Sequence, residues 1–142
     1  MSLVQIAYQT ILTKLRDWSK IDTSTQLDIM QQASNLMGES FRNALYILEE
    51  TPSLLTITDH EMFYVVVLDK EKFLLFKSHS KARLNDCICK SSWLRKTGQK
   101  APYMCLHQIL IELVLHVFTD QIEIERASEG GLEQLGELLD VL

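Results

Sequence analysis

The sequence predicts an α+β protein: helices in the N-terminal part, a small antiparallel β-meander, a loop built around every cysteine of the chain, and a further helix. Three observations carry this. Apolar residues recur at three- and four-residue steps over the first fifty positions, as amphipathic helices require. After Pro52 the pattern changes to short runs rich in β-branched and aromatic residues, separated by polar turns. The three cysteines fall in one arrangement: Cys87-Ile88-Cys89, fifteen residues, then Cys105-Leu106-His107. At 142 residues the chain is most simply one globular unit. Its parts are a helical region over 1–50, a meander with the cysteine segment over 51–118, and an acidic arm over 119–142.

The first helix is expected over 3–18, with Val4, Tyr8, Ile11, Leu12, Leu15 and Trp18 on its apolar face. A second follows Thr23 or Ser24, either of which can cap it, and carries Leu27, Met30, Ala33, Leu36 and Met37 on one side. Gly38 ends it. A short third helix bears Phe41, Ala44, Leu45 and Leu48, and stops at Pro52, whose ring and missing N–H cannot continue the ladder. Strands are expected over 54–58, 62–68 and 72–77, with turns at 59–61 and 69–71. The last of them leads toward Cys87. A helical turn over 91–96, a loop over 97–102 and a helix over 105–118 follow. Gly130-Gly131 then precedes a final helical stretch bearing Leu132, Leu135, Leu138, Leu139 and Leu142.

In a Cys-x-Cys on extended backbone, alternate side chains point the same way, so both sulfurs can face one ion while Ile88 turns into the core. Cys105 and His107, at the start of a helix, can present a third sulfur and an imidazole from the opposite side. Three thiolates and one imidazole are a full tetrahedral set for zinc, and no cysteine is left elsewhere. The competing reading is three buried thiols packed as small hydrophobes. With all four positions filled, no place remains for a water or substrate, which argues for a structural site and against zinc catalysis. Neither His-Glu-x-x-His nor the zinc-deaminase signature occurs. Cys105 as a nucleophile beside His107 or His116 would leave the other two cysteines unexplained. His60, in a turn, His79, in a basic stretch, and His116, just off the apolar helix face, read as surface or boundary residues. His79 and His116 are the substitutes should His107 not bind.

The formal net charge of -5 speaks against tight nucleic-acid binding, but the charge is segregated. Between Lys77 and Lys100 seven basic residues face one carboxylate, Asp86; from Glu112 onward eight carboxylates face Arg126 alone. The usual role of such a basic run is a solvated face. The odd cysteine count argues against a disulfide framework and for a reducing compartment. The start has no basic n-region, and the most apolar stretch, 109–117, is broken by Glu112 and His116 and too short to span a bilayer. The expectation is a soluble, intracellular protein.

A Cys-x-Cys, a spacer, then Cys-x-His entering an apolar helix resembles the SWIM zinc finger. The helical N-terminal half, the strand run before Cys87 and the fifteen-residue spacer are similar to one branch, the SWIM-domain subunit family of the Shu complex. The stretch from Met37-Gly38 through Ala44-Leu45 to Glu49 looks like that family's glycine-then-Ala-Leu helix, and the resemblance covers roughly residues 37–116. Leu110 stands where the family commonly has Ala, and Lys90 where SWIM fingers often have Pro. The resemblance implies zinc held by Cys87, Cys89, Cys105 and His107. It also implies a nuclear, non-enzymatic accessory factor in homologous recombination, with neither membrane nor small-molecule substrate. Such a factor pairs with a RecA-like recombinase paralogue and promotes recombinase filaments on single-stranded DNA. The first helix or the 109–118 helix would offer the paralogue an apolar face, although core packing is the commoner use of such faces. Lys90, Arg95, Lys96 and Lys100, with Trp93 as a stacking ring, are the candidates for DNA contact, Trp93 being more ordinarily a core residue. The alternative is a stand-alone DNA-binding zinc module.

Overall fold

The structure, a computed structural model, describes residues 2–78, 86–89 and 104–126. The helical turn expected over 91–96, the loop over 97–102 and the stretch over 132–142 lie outside them. Helix α1 (Leu3–Arg16) starts at a capping box: Ser2 Oγ accepts from the Gln5 N–H, and Gln5 Oε1 accepts from the Ser2 N–H. Tyr8, Ile11, Leu12 and Leu15 form its buried stripe, as the spacing predicts, whereas Val4 sits on the exposed first turn. The helix ends two residues earlier than expected, and Trp18–Lys20 forms a separate 3-10 turn.

Helix α2 (Thr23–Met37) is capped by Asp22 rather than Thr23 or Ser24, its Oδ1 accepting from the Thr25 N–H at 2.7 Å. Its face is also rotated from the expectation. Ile29, Ala33 and Met37 make the buried ridge, while Leu27 is 68 % exposed. Gly38 joins α2 to α3 (Glu39–Glu50) at φ 67°, ψ -138°, a backbone state open to glycine and strained for residues with a Cβ. Phe41, Ala44 and Leu48 on α3 are fully buried.

Strands β1 (Leu55–Asp59), β2 (Phe63–Leu68) and β3 (Glu71–Phe76) form the expected antiparallel meander. The two-residue turn Asp69-Lys70 has positive φ at both positions, the geometry that lets a tight hairpin follow the strand twist. Among the described residues, two short strands extend the sheet. β4 (Asp86–Cys87) pairs antiparallel with β3, and β5 (Ile124–Arg126) pairs parallel with β1, giving the order β4-β3-β2-β1-β5.

Helix α4 (Leu106–His116) stops short of the expected residue 118. It packs against α1 and α3 and against β3 and β4. Ile109, Leu110, Ile111, Leu113 and Val114 are at most 2 % exposed, so α4 is apolar nearly all round, as a central helix must be. Each of these side chains contributes about 1.5–3 kcal/mol by leaving water. Leu110, where the family resemblance leads one to expect Ala, is completely buried. The strands alternate: Leu55, Ile57, Val66, Leu75 and Cys87 join the helices in the main core, while Phe63, Val65 and Leu74 point to the other face.

Candidate metal centre

The sheet register delivers the first two sulfurs. Cys87 ends β4 opposite Leu75, and the Ile88 N–H donates to the Leu74 carbonyl at 2.9 Å, pinning the Cys-x-Cys turn to β3. Cys87 is buried and Cys89 half-buried. Ile88 does not enter the core as expected: it is 42 % exposed. The two cysteines occupy the inward direction of this turn, and on an edge strand the outward direction meets solvent.

The start of α4 delivers the other two ligands. Cys105 is its N-cap, with extended backbone and a sulfur that accepts from the Gln108 N–H at 3.4 Å. Gln108 Oε1 returns the contact, accepting from the Cys105 N–H at 2.8 Å. This is a capping box with a thiol in the place of the usual hydroxyl. A thiolate there also meets the positive end of the helix dipole. His107 follows in the first turn, its ring stacked on Phe73 with centroids 3.6 Å apart. Its Nδ1 lies 3.6 Å from Cys87 Sγ and 3.8 Å from Cys105 Sγ.

The ligand atoms of Cys87, Cys89, Cys105 and His107 all lie within 4.8 Å of one another. A tetrahedral ion bonded to sulfur at about 2.3 Å and to imidazole at about 2.0 Å needs ligand atoms about 3.5–3.8 Å apart. The two measured sulfur–nitrogen distances fit that figure. Among the described residues this is the one group of three or more His, Cys, Asp or Glu side chains close enough to hold an ion. The donors are soft or borderline, which suits a thiophilic cation and not magnesium or calcium.

The electrostatics point the same way. Hydrogen bonding to Cys105 and Cys89, reinforced by burial, pushes the Cys87 thiol far up, because several thiolates cannot share a buried pocket without a cation. Burial alone would lower His107, but hydrogen bonds to Cys105 and Cys89 outweigh it and push the imidazole up to about 9. The pocket therefore disfavours thiolates on their own, a cost that a bound divalent cation would remove.

The other sequence candidates divide. His116 is remote from the cluster; its Nε2 lies 3.7 Å from Glu112 Oε2, so it does not serve as a substitute ligand. His60 is a buried residue, not a surface one, stacked on Phe63 with centroids 4.4 Å apart, and its Nδ1 has no hydrogen-bond partner. Lys77, first of the basic run, pairs with Asp59 and lies 4.7 Å from the Tyr64 ring centroid. His79, Lys90, Trp93, Arg95, Lys96 and Lys100 lie outside the described residues. Sequence reasoning missed Gln108 and Phe73 as supports of the centre. Cys-x-x-Gln ahead of an apolar run was the available signal for Gln108, legible once a thiol is allowed in the capping box; nothing marked Phe73. It also missed that Glu112 is buried, held by a two-point contact with Arg16 at 2.6 and 3.1 Å.

Comparison of the chain with models of protein families, with curated proteins and with solved structures finds no match.

Proposed function

We propose that Cys87, Cys89, Cys105 and His107 hold a zinc ion as a structural staple, and that the chain is a non-enzymatic scaffold. The observation that carries this reading is the convergence of four potential ligand atoms within 4.8 Å, two from the end of β4 and the turn after it, and two from the N-cap and first turn of α4. When bound, zinc would supply no reaction chemistry here; with four protein ligands it would lock α4 to the sheet edge. His107 would bind through Nδ1 with its ring clamped by Phe73, and Gln108 would orient Cys105 from outside the ligand set.

The finer reading rests on the motif's resemblance to the SWIM subunit family. On it, the protein is a nuclear accessory factor in homologous recombination that pairs with a RecA-like recombinase paralogue. The pair promotes assembly of the recombinase filament on single-stranded DNA. The acidic net charge supports a scaffold over a stand-alone DNA-binding module.

Metal analysis of the purified chain tests the first part: about one zinc per chain is expected, lost in Cys87→Ser and in His107→Ala together with thermal stability. A metal-free folded protein, with both variants as stable as the parent, would remove the basis of the whole reading. Purification from cells tests the second: a RecA-like paralogue should co-elute under mild salt, and its absence would leave a zinc-stapled protein without the recombination role.

A further inference from the structure

Every cysteine of the chain belongs to the cluster. Any disulfide formed within the chain therefore consumes two of its three sulfurs and leaves one thiol over. The three are not equally shielded. Cys87 and Cys105 are 2 and 3 % exposed and belong to the main core, whereas Cys89 is half-buried. It sits at a bend directly after the exposed Ile88, past the end of β4. A small polar oxidant reaches a half-buried sulfur before two that are sealed in the core.

We propose that Cys89 is an oxidative modification site for hydrogen peroxide, and that Cys105 then closes a disulfide with it and dismantles the metal centre. This rests on the zinc reading above and adds the condition under which the staple opens. In the first step the Cys89 thiolate attacks one peroxide oxygen: an S–O bond forms, the O–O bond breaks and hydroxide leaves. The sulfur gives up two electrons to the peroxide and becomes a sulfenic acid. In the second step Cys105 Sγ attacks that sulfur: an S–S bond forms, the S–O bond breaks and a second hydroxide leaves. Two protons from solvent complete the balance. Two thiolates, one peroxide and two protons give one disulfide and two waters, and zinc keeps its oxidation state.

The geometry favours Cys105 as the second sulfur. All the potential ligand atoms lie within 4.8 Å of one another, so side-chain rotation and a small approach suffice to bring two sulfurs together. Cys87 and Cys89 stand two residues apart and point the same way, whereas a disulfide needs side chains directed at each other. Cys105 faces them from α4, which packs against β4. Its oxidation has a second effect. Cys105 is the N-cap of α4, its sulfur accepting from the Gln108 N–H at 3.4 Å, and a disulfide sulfur is a weaker acceptor than a thiolate. The same reaction therefore removes two ligands and loosens the start of the helix they hold. Cys87 and His107 remain, too few for a closed tetrahedral site. Cys87, left over and buried, ends the reaction at one bridge, which a thiol reductant reverses.

Peroxide treatment of the zinc-loaded full chain tests it. A chromophoric chelator follows metal release, and mass spectrometry after thiol blocking maps the bridge, with fragmentation to tell Cys87 from Cys89. About one zinc should leave per disulfide formed, with Cys89 joined to Cys105 and Cys87 recovered as a thiol. A thiol reductant with added zinc should restore the centre. Cys89→His keeps four ligands but no oxidisable sulfur at the accessible position, and should release zinc at least about tenfold more slowly than the parent. Should that variant hold no zinc, dimedone trapping of the first sulfenic acid in the parent decides, and it should mark Cys89 ahead of Cys87 and Cys105. Zinc retained in a large excess of peroxide, a first adduct on Cys87 or Cys105, a Cys87–Cys89 bridge, or bridges only between chains would overturn the proposal and leave the zinc reading standing. A chain that takes up no zinc before peroxide is added overturns the zinc reading and this proposal with it.

Discussion

Replacing Gln108 by leucine separates a supporting residue from the ligands it supports. The substitution keeps the side chain's approximate volume and leaves the backbone N–H of residue 108, which donates to Cys105 Sγ, in place. Among what it removes is the Oε1 acceptor of the N–H of Cys105, a residue only 3 % exposed. An unsatisfied buried N–H costs about 1–3 kcal/mol. Loss of an N-terminal cap costs about 0.5–2 kcal/mol, so the two routes agree on the scale. On the proposal that Cys105 is also a ligand, the loss should surface as weaker metal binding, about 10- to 100-fold, the usual effect of removing an outer-shell partner. Competition for zinc against a chromophoric chelator, with circular dichroism to confirm that α4 is intact, measures it. A dissociation constant within about twofold of the parent would refute the argument that the capping box organises the centre.

Three further predictions test separate parts of the molecule. Arg16→Met should cost about 3–5 kcal/mol in urea unfolding, because it strands Glu112, whose side chain is 4 % exposed, without its cation. Arg16→Met/Glu112→Leu should recover most of that loss, and a double variant as unstable as the single would show that charge burial is not the cause. Burial lowers the His60 pKa, with Asp59 and Lys77 acting in opposite directions. The folded state therefore binds the proton less readily than the unfolded chain, so the contribution of neutral His60 is complete above the ordinary value of 6.5 and is lost as pH falls below it. Urea midpoints between about pH 7.5 and 5 should fall less steeply for His60→Leu than for the parent, and parallel curves would refute this. If the isolated chain binds single-stranded DNA through its basic segment, Lys96→Glu/Lys100→Glu should lower the slope of log affinity against log salt by about 1.4. Binding of the parent that is insensitive to salt would retire the DNA-binding module.

Much of the fold was legible because it is written in near neighbours. The α1 stripe, the break at Gly38, the stop at Pro52 and the meander each depend on residues within a few positions of one another. The same holds for the metal centre. Cys87 and Cys89 share a direction because a strand alternates, and Cys105 and His107 share a helix start. The misses have a different character. Leu27 carried the expected spacing, but α2 packs through Ile29, because which stripe is buried depends on how α1 and α3 lie against it. Ile88 turned outward because β4 proved to be an edge strand, a matter of sheet order.

The sequence by itself determined the class of fold, the four residues of the Cys/His cluster and the segregation of charge, since these follow from composition and from spacing along the chain. Only the tertiary structure decided that Glu112 is a buried anion, since its partner Arg16 lies 96 residues away. It likewise decided that β5 adds a parallel strand beside β1, that His60 is buried, and that Phe73 clamps His107. Local spacing records which direction a side chain takes; what it meets there is set by elements that the fold brings from far along the chain.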